Sequence, residues 1–532
     1  MYCFKSNYLL ALLSVILITG CAKRGNVSGG AKDTIPPVLR MSFPKNYSTG
    51  FTGKQIRLVF DEYVKLKDVN KQLIVSPPMK RAPDISPLVA SRTINIRIYD
   101  TLQPNTTYSF NFGQSIEDNN EGNLYPQFKY VFSTGSYIDS LRLSGSVKDA
   151  FEKQTDSYVS VMLYEADETY TDSIIYKESP RYITNTLDSA TTFTFENLKA
   201  GKYRLVAMKD VNSNYKFDPK TDKIGFQRDF ITIPNDTLYE LELFREEIPF
   251  KAIKPSQASG NRLIAGYEGN PKDIKAIVRN GADVVPSIVT QFPQKDSVNI
   301  WYRSPKVDSL MVNITKGNYT NDFSTRIKNQ KKDTLSFSAV QSGTLPLREN
   351  FTITPSRPLV KFDNSKITLV NKDSVAVPFT TEYDEFNMKL KFLFTREPLE
   401  KYTLTALPGA LTDYLDEVND TLKYTVTTKN VSDYGNLRVT LDHVRRFPII
   451  VEITNAKGEV VASQYSENAS VIDFNALEPA LYTLRVIYDE NANKVWDTGS
   501  FLQKRQSEEV NYFAKEIDVR ANWDVEQPFI LP

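Results

Sequence analysis

The chain has 532 residues, 41% hydrophobic and 12% aromatic, with a formal charge of +1. That length predicts several domains of ~100 to 200 residues each, and 29 Tyr and 30 Phe against 3 Trp favour strands over helices. A charge so near zero leaves no electrostatic footprint for nucleic acid, so none is expected as a partner.

Lys5 precedes an apolar run from Tyr8 to Ile18, which ends in Ile18-Thr19-Gly20-Cys21. A basic start, an apolar middle and a small-residue end predict a secretory signal over residues 1–20. A spanning helix needs ~20 apolar residues, about twice what this run offers. The ending resembles a bacterial lipobox, whose cysteine is acylated and becomes the first mature residue. The resemblance makes Cys21 the lipidation site and the membrane a partner through that lipid; an ordinary signal with an incidental cysteine is the alternative. The chain's other cysteine, Cys3, would leave with the signal, so the exported protein has no pair for a disulfide. Lys5 is the one charged residue among the first 20, so the mature chain carries 64 basic and 64 acidic side chains.

Residues 21–34 are small and polar, with Gly25, Gly29 and Gly30, and read as a flexible tether. In Gram-negative lipoproteins an Asp directly after the cysteine resembles an inner-membrane retention signal. Ala22 stands there instead, which points to the outer membrane. Surface-exported lipoproteins of the Bacteroidota carry an acidic cluster at this place. Lys23 and Arg24 depart from that, so the periplasmic and cell-surface faces both stay open.

Residues 35–136 alternate apolar and polar in short runs, such as Ile56-Arg57-Leu58-Val59-Phe60, Ile94 to Ile98 and Tyr108 to Phe112. Alternation predicts strands with one buried face, and the turn chemistry at Pro77-Pro78, Pro104-Asn105 and Asp118 to Asn123 separates them. The stretch resembles a bacterial Ig-like domain in Pro36, Pro37, Val38, Pro44, Gly50, Ile56, Phe60 and Val64. The likeness continues through Leu102, Thr107, Tyr108, Asp118, Gly122, Asn123, Phe132 and Thr134. Asp61 and Glu62 form an adjacent acidic pair. Neighbours on a strand point to opposite faces, so the pair reads as a solvated strand end.

Residues 137–245 carry Leu141 to Val147, Phe193 to Leu198 and Gly201 to Ala207, an order that resembles the carboxypeptidase-regulatory-like, or prealbumin-like, β-sandwich. The segment Asp210-Val211-Asn212-Ser213-Asn214-Tyr215-Lys216-Phe217-Asp218 returns as Asp489-Glu490-Asn491-Ala492-Asn493-Lys494-Val495-Trp496-Asp497, 279 residues later. Upstream, Phe195, Leu198, Tyr203 and Leu205 map onto Phe474, Leu477, Tyr482 and Leu484 at the same offset. This is a duplicated domain. Tyr402-Thr403-Leu404 and Val426-Thr427-Thr428 echo Tyr108-Ser109-Phe110 and Phe132-Ser133-Thr134 near an offset of 294, which suggests that the Ig-like domain is duplicated too.

Asp210, Asn212, Asn214 and Asp218, and their copies Asp489, Asn491, Asn493 and Asp497, place oxygens at positions 1, 3, 5 and 9 of a loop, as a structural Ca2+ needs. Position 6 is Tyr215 or Lys494 rather than Gly, and position 12 is Thr221 or Ser500 rather than Glu. The other reading is an Asx-rich turn whose side chains bond local backbone.

Residues 246–343 read as a further β-sandwich of no recognised type, with Val298 to Tyr302, Leu310 to Ile314 and Leu335 to Ala339 as strands. Residues 344–430 read as a second Ig-like domain and residues 431–532 as a second regulatory-like sandwich. The fold class expected is all-β: tandem Ig-like and prealbumin-like antiparallel β-sandwiches in an elongated multi-domain chain.

His443 is the only histidine, so a Ser-His-Asp triad or a histidine-based zinc site has nothing else to use. No phosphate-cradling glycine loop occurs. The expectation is a non-enzymatic, outer-membrane-anchored lipoprotein acting as a scaffold or protein–protein interaction module. Lipidated chains of this Ig-plus-regulatory kind resemble those of Bacteroidota envelopes. The resemblance implies an outer-membrane protein as partner and a role as accessory subunit of outer-membrane protein assembly or secretion machinery. A surface lipoprotein that binds glycan or mediates adhesion is the alternative.

Overall fold

The computed structural model describes residues 33–186, 191–303 and 307–532. The signal, Cys21 and nearly all of the tether lie outside them. The regular structure of the described chain is almost wholly β-strand, and the chain divides into two compact units, one ending at Asp139 and the other beginning at Ser140.

The first unit is one sandwich. One sheet orders Leu39–Phe43, Gln55–Leu66, Ser91–Arg97 and Asp84–Ser86, with Ile116–Asp118 also paired to Gln55–Leu66. The facing sheet orders Ile74–Ser76, Thr107–Asn111 and Lys129–Ser133. The alternation visible in the sequence is the inward face of these strands: Ile56, Leu58, Phe60, Ile94, Ile96, Phe110 and Phe132 fill one core. Burying each such side chain stabilises by about 1.5–3 kcal/mol.

In the second unit, the sandwich that begins at Ser140 sets Leu141–Asp149 between an antiparallel Thr192–Leu198 and a parallel Tyr239–Leu243. Five strands centred on Ser160–Glu165 and Gly201–Lys209 face it. The last sandwich repeats this topology: Gly435–Asp442 lies between antiparallel Val471–Leu477 and parallel Asp524–Ile530, facing five strands centred on Ile449–Thr454 and Ala480–Tyr488.

The first and fourth sandwiches also match. In both, a tyrosine hydroxyl accepts a backbone N–H five residues upstream, Gln103 to Tyr108 (2.9 Å) and Glu397 to Tyr402 (2.7 Å). A threonine after the last strand bonds the same segment, Thr134 to the Gln103 carbonyl and Thr428 to the Glu397 carbonyl. Between these copies stands a sandwich built on Arg262–Glu268, Ser297–Tyr302, Lys275–Asn280 and Ser309–Lys316. Phe337–Ala339, read above with this third sandwich, pairs with Phe351–Pro355 in the fourth. Alternation identifies a strand but not its partner.

The expected tandem string takes a particular form in the second unit: it returns on itself. Lys220 bonds Glu268 (2.9 Å) between the second and third sandwiches. Trp301 packs on Tyr414 (5.9 Å between rings) between the third and fourth, where Asn261 Nδ2 also donates to the Tyr414 hydroxyl (2.8 Å). Lys429 bonds Glu478 (2.8 Å) between the fourth and the last. The last sandwich then meets the second, which closes the cycle.

Candidate functional site

The two duplicated loops and the contact between their domains are where the second unit departs most from plain sandwich packing. In the first loop the Tyr215 N–H donates to Asp210 Oδ2 (2.7 Å) and the Lys216 N–H to Asn214 Oδ1 (2.8 Å). Asp222 closes the loop, accepting the Val211 N–H (3.1 Å) and the Asp218 N–H (2.9 Å). In the second loop the Lys494 N–H donates to Asp489 Oδ2 (2.8 Å), and Asn491 and Asn493 each donate an amide N–H to Asp497 Oδ2 (2.5 and 2.7 Å). Glu508 closes it, accepting the Glu490 N–H (2.7 Å) and the Asp497 N–H (2.9 Å).

Tyr215 and Lys494, at position 6, take the left-handed φ of 58° and 68° that glycine takes most easily. Burial, then Asp222, pushes the Asp210 carboxyl up, against the opposing N–H donors. Burial, then Asp497 and Asp489, does the same to Glu508. Asp210 Oδ1 is buried and has no hydrogen-bond partner among the described residues. Among the described residues no group of three or more His, Cys, Asp or Glu is placed to hold a metal ion. In the second loop hydrogen bonds gather Asp489, Asn491, Asn493 and Asp497, whereas in the first Asp210 and Asn214 each accept a backbone N–H and Asp218 Oδ1 accepts the Lys220 N–H (3.0 Å).

Sequence reasoning missed Asp222 and Glu508. The copies are 279 residues apart at Asp218 and Asp497 but 286 apart at Asp222 and Glu508, so the second carries seven extra residues between these points. Those residues grip the second sandwich. Phe501 meets Phe226 edge to face at 5.2 Å, and Gly499 lies so close to Phe244 that an added Cβ would stand 2.5 Å from the ring. Gln506 donates to the Phe226 carbonyl (2.9 Å), the Phe501 N–H to Glu246 (2.5 Å), and Lys504 pairs with Asp172 (2.5 Å). Beside them Phe151 packs between Trp496 (4.5 Å) and the Arg485 guanidinium (4.2 Å), and its carbonyl accepts the Tyr512 hydroxyl (2.6 Å).

Asp61 Oδ1 accepts the Val38 N–H (2.8 Å) at the end of the first sandwich. Burial and the carboxylates of Asp118, Asp61, Asp33 and Glu121 push Glu62 up. His443 is exposed in a turn with φ 59°.

Residues 33–134 match the family model described as a bacterial Ig-like domain. The first sandwich has the Ig-like fold. Residues 151–239 match a model described as an uncharacterized protein conserved in bacteria (DUF2141), a description that names no fold and no function. Together the two models span under half of the chain. No curated protein matches it.

Similar solved structures include the S-layer protein rSbsC, at 12% identity over 91% of this chain and 67% of that one, with a TM-score of 0.16. A mixed-linkage glucan locus protein of Bacteroides ovatus, SGBP-B, is 10% identical over 72% of this chain and 94% of its own, at 0.18. The insect immune protein hemolin is 10% identical over 74% and 97%, at 0.20. At such scores the likeness carries no functional inference.

Proposed function

We propose that the protein is a non-enzymatic lipoprotein, anchored in the bacterial outer membrane by acylation of Cys21, that serves as a scaffold for protein partners. In this reading it is an accessory subunit of outer-membrane protein assembly or secretion machinery. The observation that carries the reading is the closure of the second unit, in which seven residues extra to the duplication are spent on joining the two copies. Domains joined only through linkers move relative to one another by default. Four sandwiches held in a cycle of contacts keep their outer faces at fixed spacing, which is what a scaffold must provide.

The test is to tag the native protein, crosslink intact cells, solubilise them in mild detergent and identify what co-purifies. Stoichiometric recovery of an outer-membrane barrel protein is expected. Recovery of the lipoprotein alone would overturn the reading, and a glycan array would then test the ligand-binding alternative.

A further inference from the structure

The sandwich of residues 33–139 has two unlike ends. The chain leaves at one of them, where Thr107 Oγ1 donates to Asp139 Oδ2 (2.8 Å) and the Gly50 N–H to the Gly135 carbonyl (2.8 Å). It arrives at the other, where Asn123 Nδ2 donates to the Asp33 carbonyl (3.0 Å). The strand Gln55–Leu66 runs from the leaving end to the arriving end. At the arriving end its Val64 pairs with both Ser91 and Asp118, so the hairpin tip just before Ser91 lies there too.

That tip is Leu88-Val89, and both side chains stand in solvent, 69% and 73% exposed. Ile35, Val38 and Tyr63 are exposed at the same end, Val38 beside Asp61 and Tyr63 beside Asn119. The sheet order puts Val38 on one edge and the Leu88-Val89 hairpin on the other, about 14 Å apart at ~4.8 Å per strand. Single exposed apolar residues are ordinary. Five at one pole, two of them adjacent on a protruding tip, form a patch that calls for a partner.

Chain length and charge say which partner. The proposed acyl site, Cys21, precedes Ile35 by 14 residues, at most about 50 Å of extended chain. The patch therefore lies at the end tied to the bilayer. Its bases include Arg40 and Arg92, but Asp33, Asp61, Glu62 and Glu121 stand with them. That balance gives no attraction to anionic headgroups, so the patch suits the apolar layer beneath zwitterionic ones. Arg92 lies over the Tyr63 ring at 5.3 Å, an amphipathic pair of the kind that sits at headgroup level.

We propose that this end is a second membrane contact: Leu88 and Val89, flanked by Ile35, Val38 and Tyr63, enter the interfacial layer of the bilayer and orient the anchored protein. The inference rests on the lipid-anchor reading above. Insertion of this kind is driven by buried apolar area and is expected to be insensitive to salt.

The mature chain has no cysteine besides Cys21, so Leu88→Cys in the acylated full-length protein supplies a single free thiol for an NBD fluorophore. In phosphatidylcholine–phosphatidylethanolamine vesicles the label at 88 is expected to shift its emission to shorter wavelength. Doxyl-labelled lipid is expected to quench it equally at low and high salt. The same label on Tyr137→Cys, exposed at the leaving end of the same sandwich, is expected to report water. A label at 88 that reports water as the one at 137 does would overturn the membrane contact, while an acyl mass on the same sample would keep the anchor reading intact. Absence of the acyl mass would overturn both.

Discussion

Phe501 meets Phe226 edge to face across 5.2 Å, although the two belong to different copies of a duplicated domain. Both are buried, and the contact ties the last sandwich to the second. Truncating a buried Phe costs about 3–5 kcal/mol. Phe501→Ala is therefore expected to weaken the closure and to lower or split the calorimetric melting transition of the second unit. Leu502→Ala, at an exposed neighbour, is expected to stay within about 0.5 kcal/mol of wild type. A melt of Phe501→Ala that matches Leu502→Ala would mean that the copies are not coupled through this ring.

Asp118 holds the turn that ends the first sandwich. Its carboxylate accepts the N–H groups of Asn120, Glu121, Gly122 and Asn123 at 2.7–3.1 Å. Burial alone would raise this carboxyl, but the four donors outweigh it and hold it below the usual carboxylate range. A carboxyl depressed in the fold contributes stability above its unfolded pKa of ~3.9, and that stability is lost as pH falls through the folded value. Asp118→Asn is expected to cost about 1–3 kcal/mol at neutral pH, and its deficit against wild type should shrink on acidification. Denaturant titrations at pH 7 and pH 3 measure this; a deficit that grows at pH 3 would contradict it.

Glu508 runs the other way. Burial, then Asp497 and Asp489, raises its carboxyl in the folded protein. The folded state then holds the proton more tightly, so stability falls as pH rises from the unfolded value of ~4.3 through the folded one. Glu508→Gln is expected to flatten that part of the stability–pH curve, at the cost of one of the two N–H acceptors it supplies. An unchanged slope between pH 4 and pH 7 would show that the group titrates normally.

The loops at Asp210 and Asp489 are closed by their own N–H donors and by Asp222 and Glu508. The fold is thus expected to persist in chelator, with a native circular-dichroism spectrum in EDTA. Collapse of the spectrum in EDTA, restored by millimolar calcium, would mean that the loops are built around the ion instead.

Much of the architecture could be read before any coordinates. Ile56-Arg57-Leu58-Val59-Phe60 alternates because one face packs on Phe110 and Phe132, and that periodicity is a local property. The duplicated Asx loops were visible for the same reason: their side chains bond backbone a few residues away. Pairing was not visible, because Phe337–Ala339 alternates equally well whichever sandwich it joins. Glu508 was hidden by seven extra residues that shift the register of the second copy. The Phe226–Phe501 contact was hidden because nothing local marks a ring as packing on another domain.

The measurement that bears most directly on the account is the intact mass of the mature N-terminus, taken from protein purified out of the outer-membrane fraction. A chain that starts at Cys21 and carries the mass of a diacylglyceryl group on its sulfur is expected. Cys21→Ser is expected to release the protein from the membrane. An unmodified N-terminus on wild-type protein, or full membrane retention of Cys21→Ser, would contradict the anchor and the scaffold role that depends on it.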